Sequence, residues 1–257
     1  MKKVVFFLLA VALLTAFVSC KNETKDPQAD PAANDLAIAD SVPETSTPEF
    51  LYVTAASGLS LREFNNLNSE KLAVMPYGTK LKIIAAESNA TMTVGGIKGG
   101  MNEVEFNHKK GYAFNGYLSK FFPPEPDISA KSYVEELQKL FPKVSYTETT
   151  GGTASKPSNT ETVLLPTTHW HEAFFVAQQL FDFPKEFAFP EPKGKDEQVI
   201  KDKKHKKDVW VSELLVNRID DNLEKIAYIY KTKQFATTVT ITKVNDMMQL
   251  EKTEVVE

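Results

Sequence analysis

The sequence predicts a mainly β first half and an α+β second half. The first half reads as a small closed β-barrel or sandwich. The second reads as two helices packed on an antiparallel four-stranded meander. Three observations predict this. Over residues 51–118, short apolar-polar runs recur at even spacing and are punctuated by Gly and Pro. Between 132 and 181 the apolar spacing becomes helical. From 209 to 256 it returns to strand-like runs in four successive segments, and helices followed by consecutive strands favour helices on one sheet face.

In the first half, residues 51–54 form a short strand, Ser57-Gly58 a turn, and 59–62 an alternating strand. A polar loop over 64–71 leads to a strand at 72–75. Pro76-Tyr77-Gly78-Thr79 is a turn, with Pro placed to open it and Gly to close it. Further strands are expected at 80–84, 91–94, 102–106, 111–114 and 117–118. Residues 95–100, Gly95-Gly96-Ile97-Lys98-Gly99-Gly100, lack a lysine-serine ending and a strand-to-helix setting, so they read as a flexible hairpin tip and not a phosphate cradle.

These pieces resemble the bacterial SH3-like domain family. The resemblance is carried by Tyr52-Val53-Thr54, by Gly58-Leu59-Ser60-Leu61-Arg62, and by Met75-Pro76-Tyr77-Gly78-Thr79-Lys80-Leu81-Lys82-Ile83. It continues in Gly111-Tyr112-Ala113, where the family often has Gly-Trp-Val, and in Tyr117-Leu118-Ser119. It departs after Arg62, where Glu63-Phe64-Asn65-Asn66 replaces the family's Gly-Pro-Ser, and at the glycine-rich insertion. The resemblance implies an SH3-like barrel over 49–122 that binds a cell-wall peptide or glycan, or holds a neighbouring domain. Arg62, Phe64, Tyr112 and Phe114 are the candidate ligand contacts. The alternative is that Tyr112 and Phe114 point into the barrel, because alternate strand residues share a face.

The second domain spans 123–257 and opens after a stiff proline connection, Pro123-Pro124-Glu125-Pro126. Ser132 and Glu135 suggest a capping box, and Tyr133, Leu137, Leu140 and Phe141 follow helical spacing up to Pro142. Residues 149–161 are rich in Thr, Gly and Ser and are expected to be a loop. Thr168 is the expected cap of a second helix, in which Trp170, Ala173, Phe174, Ala177, Leu180 and Phe181 share one face. Phe183, Phe187 and Phe189 then fold back as a lid on the core or remain as an exposed contact. Strands are expected over 209–216, 223–230, 235–241 and 247–256. This domain resembles no family identified from its motifs.

The start of the chain gives an address. Lys2 and Lys3 precede an apolar run over 4–18 broken only by Thr15. That is the pattern of a secretory signal over 1–19, and it is short for a membrane span of roughly 20 residues. Phe17-Val18-Ser19-Cys20 resembles a bacterial lipobox, with Phe17 where Leu is usual. The resemblance implies cleavage before Cys20 and lipid on its sulfur and new amino group. Cys20 is the only cysteine, so no internal disulfide can form. Residues 20–48, the lipidated Cys and a linker, hold no aromatic, and over 21–48 two lysines face six acids. Such a composition favours an extended tether. Membrane lipid, through Cys20, is thus the first expected partner. An exported chain anchored to a bacterial envelope membrane follows, the outer membrane of a Gram-negative cell being the expected one.

Without Lys2 and Lys3 the 30 basic residues become 28 against 34 acidic, a net charge of −6, which does not suggest nucleic acid. His169-Trp170-His171 would share a metal on a strand but diverge by about 200° at a helix start. A structural role is therefore expected, with metal or catalysis as the alternative, and no metal, cofactor or catalytic residue is assigned. The densest basic run, with Lys201, Lys203, Lys204, Lys206 and Lys207, reads as a solvated loop that can also meet anionic head groups or acidic glycans. Three functions remain open. The first is a binding or scaffold lipoprotein docking on peptidoglycan or an envelope protein. The second is a peptidoglycan-directed enzyme, and the third an accessory subunit of an envelope assembly.

Overall fold

The computed structural model describes residues 50–257; the readings that fall on residues 1–49, including the signal peptide, Cys20 and the linker, lie outside the described residues. The first segments are β1 (Phe50–Val53), β2 (Leu59–Arg62), β3 (Lys71–Met75), β4 (Lys80–Ala85), β5 (Met92–Val94), β6 (Ile97–Gly99), β7 (Met101–Phe106), β8 (Lys109–Phe114) and β9 (Leu118–Ser119). Seven of them form an antiparallel sheet in the order β3-β2-β8-β7-β4-β1-β9. β5 and β6 pair as a separate hairpin.

This corrects the expected closed barrel: the sheet is open, with β3 and β9 at its edges. Closure would require β9 to pair beyond β1. Instead β9 is two residues long, and its Ser119 side chain is engaged by the second half of the chain. The glycine-rich segment is also corrected. Only Gly95 and Gly96 turn the hairpin, with φ of 54° and 76°. Ile97 is buried, and Ile97 and Gly99 pair with Val94 and Met92. At Gly111 a Cβ would stand 2.6 Å from the Arg62 carbonyl oxygen, so the close approach of β8 to β2 depends on glycine.

The second half contains α1 (Ala130–Gln138), β10 (Ser145–Thr153), β11 (Lys156–Leu165), α2 (Trp170–Leu180), β12 (Glu197–Lys201), β13 (Val209–Ile219), β14 (Asn222–Thr232), β15 (Phe235–Val244) and β16 (Met247–Val256). Here too the expectation is overturned. There is no four-stranded meander carrying two helices but a seven-stranded antiparallel sheet, ordered β10-β11-β16-β15-β14-β13-β12. The expected loop at 149–161 is most of the β10–β11 hairpin, paired from Ser145↔Leu164 to Thr153↔Lys156. Its residues carry little apolar signal. They are strand-forming threonines, fixed by eight paired positions between β11 and β16 and by a Thr160–Thr253 hydroxyl contact of 3.0 Å.

One face of this sheet is apolar. Leu214, Val216, Ile226, Tyr228, Val239, Ile241, Met248 and Leu250 are buried on it, following the period of two along each strand. α2 packs against β15 and β16, and α1 against β10 and β11. The other face is half-exposed and rich in threonine, with Thr238, Thr240, Thr242 and Thr253. Phe183, Phe187 and Phe189 are all buried. Phe183 lies 4.9 Å and Phe187 5.8 Å from Tyr228 between ring centroids, and Phe189 lies 5.7 Å from Phe174.

Both caps differ from expectation. α1 is capped by Ser129, whose hydroxyl accepts from the Ser132 amide, because the proline-rich approach leaves Ser129 extended one turn earlier. α2 has His169 at its cap position, not Thr168, and no side-chain cap. A single apolar cluster runs through both sheets. Aromatic pairs join the halves: Tyr117 with Phe175 at 5.7 Å and Phe121 with Phe141 at 5.0 Å.

Candidate functional site

The start of α2 meets the first sheet around one buried carboxylate. Glu172 occupies the third helical position, where a carboxylate also complements the helix dipole. It is 7% exposed. Ser119 Oγ donates to Glu172 Oε1 at 2.7 Å from β9, and Thr167 Oγ1 donates a short hydrogen bond to Oε2. His169 Nδ1 lies 3.3 Å from the same Oε2. Thr167 Oγ1 also accepts from the His169 amide, and Ser119 Oγ accepts from the Phe121 amide. Both carboxylate oxygens of Glu172 and the hydroxyls of Ser119 and Thr167 are therefore used, as a buried polar network requires.

The two histidines do not diverge. Their rings stack at 5.4 Å between centroids with 19° between planes. The 200° expectation assumed that both residues are helical. His169 is not: its φ of −88° and ψ of 110° are extended, and this turns its ring back over His171.

The charges in the network oppose one another. Burial pushes the Glu172 carboxyl up, but the hydrogen bonds from His169, Thr167 and Ser119 outweigh it and hold the group below the ordinary glutamate value. The hydrogen bond to Glu172 lifts exposed His169 above the usual histidine value, against the pull of burial. Burial pushes His171 down to about 4, and Glu172 offsets this only in part.

His171 is consequently neutral in the fold at neutral pH, and its unfolded value is near 6.5. Below pH 6.5 the unfolded chain takes up a proton that the fold refuses, so stability falls until pH reaches about 4. The loss reaches about 2 kcal/mol at pH 5. His171→Gln is expected to flatten this segment of the stability curve. Parallel urea titrations of both proteins at pH 7 and pH 5 measure it, and an identical pH dependence would remove His171 as the cause.

Two clefts adjoin at the histidines. One, of about 610 Å³, is walled by the β4–β5 loop, the end of β9 and the approach to α2. Its polar groups include Glu87, Asn89, Lys98, Lys120, His169 and Asp246. The second, of about 840 Å³, continues past Lys98, His169 and His171 to Trp170, Lys193, Asp220 and Asp221. The loop wall is fixed by amide side chains. Asn102 Oδ1 accepts from the Glu87 amide, while Asn115 Nδ2 donates to the Glu87 carbonyl oxygen and Asn115 Oδ1 accepts from the Gly100 amide. Lys120 Nζ is committed to the Pro166 carbonyl at 2.8 Å. Lys98, Lys120 and His169 bring basic groups to this cleft, and Glu87, Glu172 and Asp246 bring carboxylates.

Both hydroxyls next to the histidines donate to Glu172, so neither is turned to an imidazole as a nucleophile. Among the described residues no three His, Cys, Asp or Glu side chains converge as a metal site.

The residues expected as ligand contacts lie elsewhere and do not form one groove. Phe64 is 57% exposed on the β2–β3 loop. Arg62 Nη1 donates to the Ser69 carbonyl at 2.7 Å and pins that loop. Arg62 and Tyr112 are cross-strand partners. Phe114 is buried, with its ring 5.8 Å from Tyr117. Arg62 and Phe114 share a small cleft of about 270 Å³ that neither Phe64 nor Tyr112 lines. The basic run caps the β12–β13 hairpin at the far end of the second sheet. Cys20 lies outside the described residues.

Asn89 and Glu87 carry no motif; Ser119 and Lys98 fall inside segments quoted above, but no local signal marks either as a site residue. Glu172 had one partial signal, an acid in the first turn of a helix, but its partner Ser119 is 53 residues away. No family model, no curated protein and no solved structure matches this chain. The resemblance noted for residues 50–121 therefore rests on its own motifs.

Proposed function

We propose that this chain is an exported binding protein, tethered to an envelope membrane through Cys20, whose histidine-lined cleft takes a cell-wall peptide or an amino-sugar glycan. One observation carries the reading: a single polar cleft is lined by Lys98, Lys120 and His169 and also by Glu87, Glu172 and Asp246. A ligand bearing both carboxylate and ammonium groups matches that mixed lining, and wall peptides carry both. The signal-like start and Cys20 supply the compartment. The largely preformed walls reduce the ordering cost of binding.

The test uses the chain from residue 21 onward, which keeps every described residue. It is expected to pellet with purified sacculi and to bind soluble muropeptides in calorimetry. Lys98→Glu and His169→Ala are expected to weaken binding at least tenfold each, about 1.4 kcal/mol. No binding to sacculi or muropeptides sinks the reading. Binding that both substitutions leave unchanged moves it away from this cleft. An accessory role in an envelope assembly would instead require a protein partner recovered by cross-linking in intact cells.

A further inference from the structure

The two ends of the second sheet differ in chemistry. β13 runs from Val209 to Ile219, and its neighbours run antiparallel to it. The turns at Asp220-Asp221 and Asn245-Asp246 therefore lie at one end, and both clefts at the histidines reach that end. The opposite end carries the β12–β13 connection, with Lys203, Lys204, Lys206 and Lys207, and the β14–β15 turn, with Lys233.

The basic connection is a built tip. The Asp202 carboxylate accepts from the Lys204 amide at 2.7 Å and from Ser212 Oγ at 3.1 Å. The Asp202 amide donates to the Ser212 carbonyl at 2.9 Å, and the Val209 amide to that of Lys206 at 3.1 Å. Asp202 is thus spent on the loop, and the connection still holds four lysines against its one other carboxylate, Asp208. Among the described residues, Lys203, Lys206 and Lys207 make no ion pair, and Lys204 makes one, to Glu186 at 3.6 Å.

Trp210 follows at once. The β13–β14 register slips between Val209 and Val211, so Trp210 is left unpaired in a bulge, and bulges re-aim side chains. Val209 stays buried while Trp210 is 61% exposed. An exposed indole beside a lysine cluster is the pairing that suits a lipid interface: the ring sits at head-group depth and the ammonium groups meet anionic head groups.

We infer that this end of the second sheet docks on an anionic phospholipid surface, with the lysine tip on the head groups and Trp210 in the interface. β13, with 11 residues, then stands the cleft end off the membrane by roughly 35 Å. That orientation rests on the cleft being the ligand site; the lipid contact does not.

Vesicles of phosphatidylcholine mixed with phosphatidylglycerol, and vesicles of phosphatidylcholine alone, test it with the chain from residue 21 onward. The unsubstituted protein is expected to sediment with the anionic vesicles only and to release at high salt. Brominated acyl chains are expected to quench its tryptophan emission. Replacing Lys203, Lys204, Lys206 and Lys207 together with Gln is expected to lower partitioning up to about 1000-fold. Trp210→Ser is expected to lower it about tenfold and to abolish the quenching. Equal binding to neutral vesicles, no binding to anionic ones, or retention by the quadruple variant would overturn the inference. So would lysine-dependent pelleting with sacculi in a protein that ignores vesicles, which would assign the tip to an acidic wall polymer. Muropeptide binding to the cleft is read separately and is unaffected by these variants.

Discussion

Replacing Glu172 with alanine is expected to lower the unfolding free energy by about 3 kcal/mol. The carboxylate receives the Ser119 and Thr167 hydroxyls and faces His169 from a position almost closed to water. Alanine removes all three contacts, strands two buried hydroxyls and leaves a cavity. Glu172→Gln keeps the shape and an acceptor, and the hydroxyls can rotate, so about half that loss is expected. Urea unfolding measures both, with an unchanged m-value marking a stability effect. A loss below about 1 kcal/mol for alanine would show that the network is not what joins β9 to α2.

The same substitution has a signature that packing alone does not produce. Without Glu172, the raised value of His169 falls back towards 6.5, which NMR titration of the imidazole reads directly. The pH dependence follows from the signs. The folded value of His169 is raised, so its contribution is full below pH 6.5 and is lost as pH rises through the folded value. That of Glu172 is lowered, so its contribution is full above pH 4.5 and is lost as pH falls through the folded value. The pair therefore contributes most between these two limits, where the neutral His171 opposes it.

The second large effect is expected at Arg218, which is 2% exposed on β13 and, among the described residues, has no carboxylate partner. Its guanidinium is spent on the backbone. Nε and Nη2 donate to the Glu191 carbonyl at 3.0 and 2.6 Å, and Nη1 to that of Lys195 at 2.9 Å; Nη2 also donates to Gln198 Oε1 at 3.0 Å. These bonds fasten the segment between the Phe189 turn and β12 to the body of the sheet. Arg218→Ala leaves those acceptors unpaired and is expected to cost about 3 kcal/mol. Arg218→Lys should recover less than half, because one ammonium cannot reproduce the planar fork. Hydrogen exchange should show faster opening of residues 190–201 in both variants while β14 to β16 stay protected. Uniform loss of protection across the sheet would contradict a local role.

Much of the strand pattern was legible before any coordinates. β2 falls where alternation put it, and β16 begins and ends at Met247 and Val256 as the apolar run indicated. α2 was readable from Trp170, Ala173, Phe174 and Ala177. These elements bury one apolar stripe each, and a stripe leaves a period in the sequence. The β10–β11 hairpin left none. Its side chains are polar or small, and its strand state comes from pairing with β16. Likewise β12 is a short edge strand with Val199 exposed, held by β13 and by Arg218. The candidate site was the least legible part. The His169-Trp170-His171 motif was visible, but its ring stacking depended on one extended residue at a helix cap, and its carboxylate partner answers to a serine on another sheet.

The order of residues alone determined where apolar periods begin and end, where glycine and proline interrupt them, and that a signal-like run leads to a single cysteine. These are local properties, set by side-chain spacing and backbone freedom over a few residues. Tertiary structure alone decided that the first sheet stays open, that the second has seven strands, and that Glu172, Ser119 and two histidines share one junction. Those outcomes depend on contacts between residues far apart in the chain, where the hydrogen bonding of buried groups and the aromatic contacts between the two halves select a geometry that no local pattern encodes.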